Sequence, residues 1–321
     1  MATDESFLAK DGRIWYTTKG VKSKVKGIAT LKTAIVTDTN SSITPQEAKE
    51  MGIYLIPMPF FIDGETYLEG ETCTHETFFH LLKAGAKVST SQPSPETLTS
   101  LWDRLLQTYD RVLHFPMSSG LSSTCQTAML LAEEEPYKGR VFVADNHRIS
   151  VTQGIAALEA RNLADAGKSA AEIKQILEAE ALDATIYIAV DTLEYLKKGG
   201  RITAAAAALG TVLRVKPVLT IQGGKLESYA KARGMKSAFQ SMLDALKHDI
   251  DTRLAPLHKA GKLKVGLANT AMEPEKLEAF KKELTDSFPD MEMVYFPLTA
   301  SIGTHVGPGG LGIGAVRSDE L

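Results

Sequence analysis

A run of hydroxyl side chains at residues 118–124 is the part of the sequence best suited to bind an anion. It follows an apolar stretch and precedes apolar residues at helical spacing, which predicts a turn at a helix N-terminus, with Ser123 and Gln126 spaced as a capping box. Free N–H groups and the helix dipole favour an anion there, and without a lysine the turn suits one carboxylate or phosphate better than a triphosphate with its metal. Serine is also an ordinary helix cap, so the run alone fits a structural turn as well.

Three other loops carry polar side chains that could complete such a site. Residues 38–42 and 145–147 follow predicted strands, and residues 89–91 precede a helix that begins near Ser94. In a parallel sheet the turns after the strands meet at one edge, where ligands bind. We therefore expect these loops to converge, and we interpret Asp38 as a turn or cap residue rather than a metal ligand or a catalytic acid.

The first half of the sequence alternates predicted strands with predicted helices. This alternation is typical of an α/β fold with a doubly wound, mainly parallel sheet. Asp63 and Gly64 also predict a hairpin. The strands are predicted at residues 33–37, 53–58, 111–117 and 141–144.

The second half predicts a mixed α/β sheet. Gly223 and Gly224 separate two apolar runs, which indicates an antiparallel hairpin, and an alanine-rich helix is predicted to run to about Leu213. Strands are predicted at residues 185–190, 218–221, 226–232, 264–268, 291–298 and 311–317. The predicted organisation is an N-terminal extension (1–32), an N-terminal α/β domain (33–180) and a C-terminal mixed α/β domain (181–321).

The composition is that of a soluble globular protein. Of 321 residues, 44% are hydrophobic and 23% are charged, which allows a sizeable core. No apolar run reaches the ~20 residues of a membrane helix and the N-terminus lacks a signal-peptide core, so we expect no transmembrane segment and a cytoplasmic location. Cys73 and Cys125 fit no zinc or redox spacing, and we predict neither a metal site nor a cofactor.

Positive charge is concentrated in one segment of the second half. Nine Lys or Arg residues and a single acid, Glu227, lie between Lys197 and Lys236, although the whole chain has a net charge of −3. Such a segment favours an anionic partner. Nucleic acid is a poor candidate for this partner because the chain is acidic overall and few aromatic residues lie among these charges.

Six motifs along the chain resemble, in content and in order, those of the DegV family. The resemblance covers about residues 33–318, and the motifs lie at residues 35–38, 90–93, 111–124, 193–202, 216–217 and 305–309. The family has a two-domain α/β fold that binds one long-chain fatty acid between its domains. Characterised members are the acyl-carrier subunit of bacterial fatty acid kinase, in which a separate ATP-dependent subunit phosphorylates the bound carboxylate. The resemblance thus implies a carrier without catalytic activity, with transient contact at a membrane surface as a further possibility.

The resemblance also implies roles for individual residues. The carboxylate would be bound by Thr90, Ser122 and His305, and Arg233 would face the kinase subunit and the acyl phosphate. Ser91, Ser119 and Gly120 are further expected ligand-binding residues, and Arg201 is a further expected partner-binding residue. The chain departs from the family pattern at Ser123, where a glycine is usual, and at residues 38–40, where Asp-Ser-Thr is usual.

A serine acyl hydrolase is the alternative hypothesis. Ser122 or Ser119 would be the nucleophile and His305 the base, while Asp145 and His147 also suggest a triad with either serine. The sequence around these serines lacks the Gly-x-Ser-x-Gly elbow of many hydrolases, and a triad depends on geometry that the sequence does not supply. The sequence leaves both hypotheses open and does not predict the length or unsaturation of an acyl chain.

Overall fold

The computed structural model describes residues 31–208 and 215–319, together with two short strands near the N-terminus. These strands, β1 (Ser6–Leu8) and β2 (Ile14–Tyr16), pair antiparallel with each other. They belong to the predicted N-terminal extension, and the rest of that extension up to residue 30 lies outside the described residues.

The N-terminal half alternates strands and helices, as its hydrophobic pattern predicts. A short 3₁₀ turn, Thr39–Ser41, follows the first long strand. The elements are β3 (Thr33–Asp38), α1 (Pro45–Met51), β4 (Ile53–Ile56), β5 (Pro59–Ile62), β6 (Glu65–Leu68), α2 (His75–Lys83), β7 (Val88–Thr90), α3 (Pro95–Leu105), β8 (Arg111–His114), α4 (Thr124–Ala132), β9 (Val141–Val143), α5 (Val151–Asp165) and α6 (Ala170–Ala179).

Four of these strands form a parallel sheet in the order β4-β3-β8-β9. Helices α3 and α4 cover one face, and α1, α5 and α6 cover the other. Every residue of β3 is therefore buried, which explains the three consecutive apolar residues at its centre. The predicted doubly wound sheet is confirmed, and the turns after β3, β8 and β9 share one edge.

Strands β5, β6 and β7 form a separate antiparallel sheet in the order β6-β5-β7, called the small sheet below. The predicted hairpin is confirmed: Asp63 and Gly64 have φ values of 50° and 93°, and a type I′ turn needs positive φ at both positions. The pairing of Phe60 with Thr90 attaches the hydroxyl-rich loop at residues 89–91 to this sheet.

The C-terminal half begins with a strand and ends with one. Its elements are β10 (Ala184–Ala189), α7 (Glu194–Gly199), α8 (Ala204–Ala207), β11 (Val215–Ile221), β12 (Glu227–Arg233), α9 (Met235–Asp251), α10 (Ala255–Lys259), β13 (Leu263–Asn269), α11 (Pro274–Ser287), β14 (Glu292–Pro297), α12 (Ala300–Val306) and β15 (Leu311–Arg317). The six strands form a mixed sheet in the order β12-β11-β10-β15-β13-β14, in which only β13 and β14 are parallel. The predicted mixed sheet is confirmed.

Helix α5 packs between the parallel sheet and the mixed sheet. It contacts β3 on one side and β13, β14 and β15 on the other, while α9 covers the opposite face of the mixed sheet. This position explains why 10 of the 15 residues of α5 are buried. The predicted domain boundary at residue 180 falls between α6 and β10, and the division into domains at that residue stays a prediction.

The predicted capping box at Ser123 and Gln126 is wrong. Ser123 precedes α4, but its backbone is helical (φ −79°, ψ 0°) and its side chain makes no capping bond. A capping residue needs an extended backbone for its side chain to reach the first turn. The Ser122 hydroxyl instead accepts the Thr124 N–H at 3.2 Å, and the Gln126 amide donates to the Ser119 carbonyl at 3.5 Å.

Other helix predictions fare differently. The spacing of Ser169 and Glu172 also predicts a capping box, and the structure confirms it at the start of α6. The alanine-rich helix is present as α8, and the rest of its predicted length, from residue 209 to 213, lies outside the described residues. Within the part of the chain that the structure describes, no helix is both long and apolar enough to cross a membrane.

Two glycines of β15 should respond differently to an added methyl group. A Cβ on Gly314 would overlap the Thr185 carbonyl oxygen, whereas the nearest atom to a Cβ on Gly312 is the Tyr187 carbonyl oxygen, at 3.5 Å. Gly314→Ala should lower the free energy of unfolding by about 1–3 kcal/mol, the usual cost of overpacking. Gly312→Ala should lower it less. Urea denaturation of both variants measures the difference, and equal stabilities would contradict this packing.

Candidate ligand-binding cavity

A largely apolar cavity of about 110 Å³ lies between the mixed sheet and the loops at the edge of the parallel sheet. Apolar side chains from both halves of the chain form most of its lining. The cavity therefore suits an apolar ligand with a small polar group. The apolar lining includes Ile186, Ile188 and Val316 from the mixed sheet, and Met117, Leu121 and Ile149 from the N-terminal half.

The polar lining includes five of the residues predicted from the sequence. They come from strand β7, helix α12 and three loops: Thr90, Ser91, Ser122, Arg201 and His305. The Thr90 hydroxyl lies 2.8 Å from Nε2 of His305, and the Ser122 hydroxyl lies 2.9 Å from that of Thr124. The structure therefore brings the three expected carboxylate ligands to one cavity.

Helix α12 places His305 at the cavity. Thr299 caps the helix, accepting the Ile302 N–H at 3.4 Å, and His305 lies in the last turn. The imidazole packs so closely on the backbone of Gly199 that a Cβ there would overlap the ring. Gly199, the last residue of α7, therefore makes room for the imidazole, a role that the sequence did not reveal.

The imidazole of His305 is neutral near pH 7. Burial, together with the charge of Arg201, lowers its pKa to about 4. Its Nδ1 is buried and has no hydrogen-bond partner within the described residues, so its polar contact is made through Nε2. A neutral imidazole beside a hydroxyl can donate one hydrogen bond without burying a second cation next to Arg201.

Arg201 lies at the cavity, although the sequence suggested a partner-binding surface. Its Nε donates to the Leu121 carbonyl at 3.1 Å, and its Nη1 donates to the Gly199 carbonyl. These two bonds connect the backbone beside Ser122 with the backbone beneath His305. Four residues at the cavity, linked in part through the backbone of Leu121 and Gly199, are called the polar cluster below: Thr90, His305, Arg201 and Ser122.

Ser119 and Gly120 do not line the cavity. The Ser119 N–H donates to Asp145 at 3.3 Å. A Cβ on Gly120 would lie 2.6 Å from the Cα of Gly224, so this loop packs directly on the β11–β12 hairpin. The Ser118 hydroxyl also donates to the Gly223 carbonyl. Ser118 and Gly120 therefore hold the two halves of the chain together beside the cavity.

Arg233 is exposed at the end of β12, which is an edge strand of the mixed sheet. It pairs with Val215 through the backbone and does not line the cavity. No hydrogen bond or ion pair of its side chain occurs within the described residues, so its guanidinium is available at the surface.

Asp38 joins the ends of two central strands behind the cavity. Its carboxylate accepts the Met117 N–H at 2.7 Å, the Asn40 N–H at 2.9 Å and the Gln153 amide at 3.2 Å. Burial raises its pKa to about 6, and the three hydrogen bonds oppose this shift. Asp38 also caps the turn at residues 39–41, which confirms its interpretation as a cap residue.

The hydrolase hypothesis requires a serine that donates to a histidine. The Ser122 hydroxyl interacts with Thr124, and His305 Nε2 interacts with Thr90. The described residues contain no hydrogen bond between either candidate serine and a histidine. Asp145 and His147 approach within 3.4 Å, but the His147 ring packs against Gly223 rather than against a serine.

One group of acids could hold a cation in principle. Carboxylate oxygens of Glu159, Glu180 and Asp319 lie within 4.8 Å of one another, outside the cavity. Arg317 Nη2 lies 3.0 Å from Glu180 and 2.8 Å from Asp319. Because Arg317 already pairs with two of the three acids, the group is better explained as an ion-pair network.

The protonation of His305 is directly measurable. In the ligand-free protein we expect its imidazole to titrate with a pKa of about 4 rather than 6.5. Between pH 4 and pH 6.5 the imidazole of the unfolded chain binds a proton that the folded protein does not bind. The stabilisation due to His305 is therefore complete above pH 6.5 and is lost as the pH falls. An NMR titration, with His305→Gln to identify the resonance, measures the pKa. A midpoint near 6.5 would contradict the buried position.

Comparison with known proteins identifies relatives over most of the chain. The profile of the family described as "Uncharacterised protein, DegV family" matches residues 32–318. A DegV domain-containing protein of Deinococcus radiodurans is 32% identical over 282 residues, covering 87% of this chain and 96% of that protein. Protein DegV of Bacillus subtilis is 32% identical over 283 residues, covering 87% of this chain and 97% of that protein.

Solved structures with the same fold bind fatty acids. A DegV family protein from Thermus thermophilus, described by its fatty acid binding, has a TM-score of 0.80 at 32% identity and covers 89% of this chain and 100% of its own. DegV from Bacillus subtilis, described as a fatty acid binding protein, has a TM-score of 0.78 at 28% identity and covers 90% and 100%. The family profile, the relatives and the shared fold agree with the motifs of the sequence, and the chain belongs to the DegV family.

Proposed function

We propose that the protein binds one long-chain fatty acid in the cavity, with the carboxylate at the polar cluster. The observation that carries this proposal is a mostly apolar lining that also includes the four residues of the polar cluster. Each buried CH₂ group contributes about 0.8 kcal/mol to binding, so apolar walls favour a long alkyl chain. The fatty acid binding described for the Thermus thermophilus and Bacillus subtilis proteins supports the same ligand class.

The polar cluster offers donors that match a carboxylate. The Thr90 hydroxyl and neutral His305 now bond to each other, and both can turn to donate to carboxylate oxygens. Ser122 adds a hydroxyl, and Arg201 adds the positive charge that compensates the buried anion. This arrangement favours a singly charged head group.

We further propose that the protein is a carrier rather than an enzyme. Among the residues that the structure describes, neither candidate serine has a histidine partner, which disfavours the hydrolase hypothesis. The bound carboxylate would be presented to an ATP-dependent kinase subunit and converted to an acyl phosphate, with Arg233 facing that subunit. The exposed guanidinium of Arg233 lies in a basic segment and has no hydrogen bond or ion pair with any residue in the described part of the chain, which supports this role. Transient contact with a membrane surface stays a prediction.

Loss of either hydroxyl should weaken ligand binding. Thr90→Val and Ser122→Ala each remove a donor to a charged acceptor, a bond worth about 1.5–3 kcal/mol, so affinity should fall roughly ten- to a hundredfold. Mass spectrometry of lipid extracted from the purified protein first identifies the ligand, and calorimetric titration of delipidated protein with that fatty acid then measures affinity.

Thr99→Val is the matched control for these variants. Thr99 is a half-buried residue of α3 that does not line the cavity, and its hydroxyl donates to carbonyls of its own helix, so its loss should leave affinity unchanged. A purified protein without fatty acid, or unchanged affinity in the Thr90/Ser122 double variant, would exclude the proposed site. Turnover of a chromogenic ester that Ser122→Ala abolishes would instead establish the hydrolase.

Arg233→Ala should separate fatty acid binding from presentation of the bound carboxylate to the kinase subunit. Fatty acid affinity should stay nearly intact because Arg233 does not line the cavity, whereas phosphorylation by the kinase subunit should fall. Arg233→Lys should restore only part of the activity, since lysine cannot pair bidentately with phosphate oxygens. Phosphorylation assayed with ATP and the kinase subunit, beside a lipid titration, gives both quantities.

The control for this experiment is Arg104→Ala, which removes an exposed arginine from α3 in the other half of the chain. It should change neither lipid binding nor phosphorylation. If Arg233→Ala weakens lipid binding and phosphorylation in parallel, Arg233 acts on the ligand site and its proposed role in docking fails.

A further inference from the structure

Glu69 is a buried acid that binds the N-terminus of the helix carrying His305. Its Oε1 accepts the Ala300 N–H at 3.1 Å, and its Oε2 accepts the Ser301 N–H at 2.8 Å. Only 9% of the residue is exposed. One carboxylate therefore satisfies two of the free N–H groups in the first turn of α12.

The other end of α12 is held by the same small sheet. Glu69 directly follows β6, and its own N–H donates to the Met58 carbonyl at 3.0 Å, just before β5. Thr90 ends β7, the third strand of the sheet, and contacts His305 at the last turn of the helix. The small sheet thus contacts α12 at both ends, through Glu69 and through Thr90.

Helix α12 has only 7 residues and depends on such contacts for its position. So short a helix has little stability alone. The negative charge of Glu69 at its N-terminus is favourable for the helix dipole, and the two N–H groups partly offset the burial that raises the pKa of this carboxyl. Without the carboxylate, two buried N–H groups would lose their acceptor, and a small displacement of α12 would let them reach water.

We infer that Glu69 is a positioning residue: by anchoring α12 to the small sheet, it sets the distance from His305 Nε2 to Thr90. The inference rests on the proposed function, because it concerns the carboxylate-binding geometry. Glu69 does not line the cavity and touches no ligand. Its effect on binding is transmitted through His305.

A double-mutant cycle between Glu69 and His305 tests this role. Glu69→Gln should weaken oleate binding roughly tenfold, because the amide can accept only one of the two N–H groups. In a His305→Gln background the same change should have little further effect, since the group that it positions is already absent. A purely structural contribution would instead give additive losses in the two backgrounds, and additivity overturns the inference.

An NMR titration of His305 in lipid-free protein gives a second readout. If Glu69 holds α12 in place, Glu69→Gln should let His305 become more exposed, and its pKa should move up from about 4 toward 6.5. An unchanged pKa overturns the inference. This measurement needs no ligand and remains valid if the proposed function is wrong.

Glu47→Gln is the matched control. Glu47 is also buried, with 6% exposed, and its carboxylate accepts the Thr44 N–H at 2.7 Å at the start of α1. Its loss should lower stability without changing oleate affinity or the His305 resonance. Equal effects of the two variants on affinity would show a general loss of stability and would overturn the positioning role.

A second variant covers the case in which Glu69→Gln does not fold. Ala300→Pro removes the N–H that donates to Oε1 at the first helical position, where proline is favoured. The preceding residue, Thr299, already has the extended backbone that a following proline needs (φ −67°, ψ 166°). Ala300→Pro should raise the His305 pKa and weaken oleate binding, in both cases by less than Glu69→Gln does. If neither effect appears, the inference is overturned.

Failure of the proposed function and failure of the positioning role of Glu69 give different experimental results. If His305→Gln leaves oleate affinity unchanged, the proposed carboxylate site is wrong and the inference fails with it. If His305→Gln weakens oleate binding but Glu69→Gln does not, the proposed function stands and only the positioning role of Glu69 is rejected.

Discussion

The hydrogen bond between Thr90 and His305 joins positions 215 residues apart and unites the two halves of the chain at the cavity. Thr90 is held at the end of a short strand, and His305 at the end of a short helix. Neither element is stable alone, so the distance between the two side chains depends on how the halves pack. The carboxylate of Glu69, the backbone of Gly199 and the capping hydroxyl of Thr299 all restrict this packing.

Both sheets pack against helix α5. A network of charged side chains connects the last strand, β15, to the region of α5 and α6. Burial lowers the pKa of Arg148 and raises that of Glu159 to about 8, and Arg148 Nη2 donates to the Glu180 carbonyl at 2.7 Å. Arg317, at the end of β15, pairs with the Glu180 and Asp319 carboxylates. These contacts link the end of the mixed sheet to α5 and α6. The spacing between the cavity walls is therefore a consequence of packing at sites well removed from the polar cluster.

The chemistry of the polar cluster follows from the cost of burying charge. Two adjacent buried cations would repel each other, and Arg201 already lowers the pKa of His305. The imidazole therefore acts as a neutral donor beside the hydroxyls of Thr90 and Ser122. One full positive charge with neutral donors matches one carboxylate, and this match supports the proposed fatty acid ligand over a multiply charged phosphate.

Local patterns determined much of the fold, and motifs identified the family. The apolar runs of the strands and the cap at Ser169 act within a few residues, so the sequence alone predicted the parallel and mixed sheets and the hydroxyls at the cavity. It placed Arg201 at a surface, expected Ser119 at the ligand and gave no signal for Glu69. The direction of a loop side chain depends on contacts with segments far away in the chain. Only the tertiary structure decided that Arg201 faces the cavity, that Gly120 packs on the opposite half, and that Glu69 meets the helix of His305, because these contacts exist only once both halves are packed.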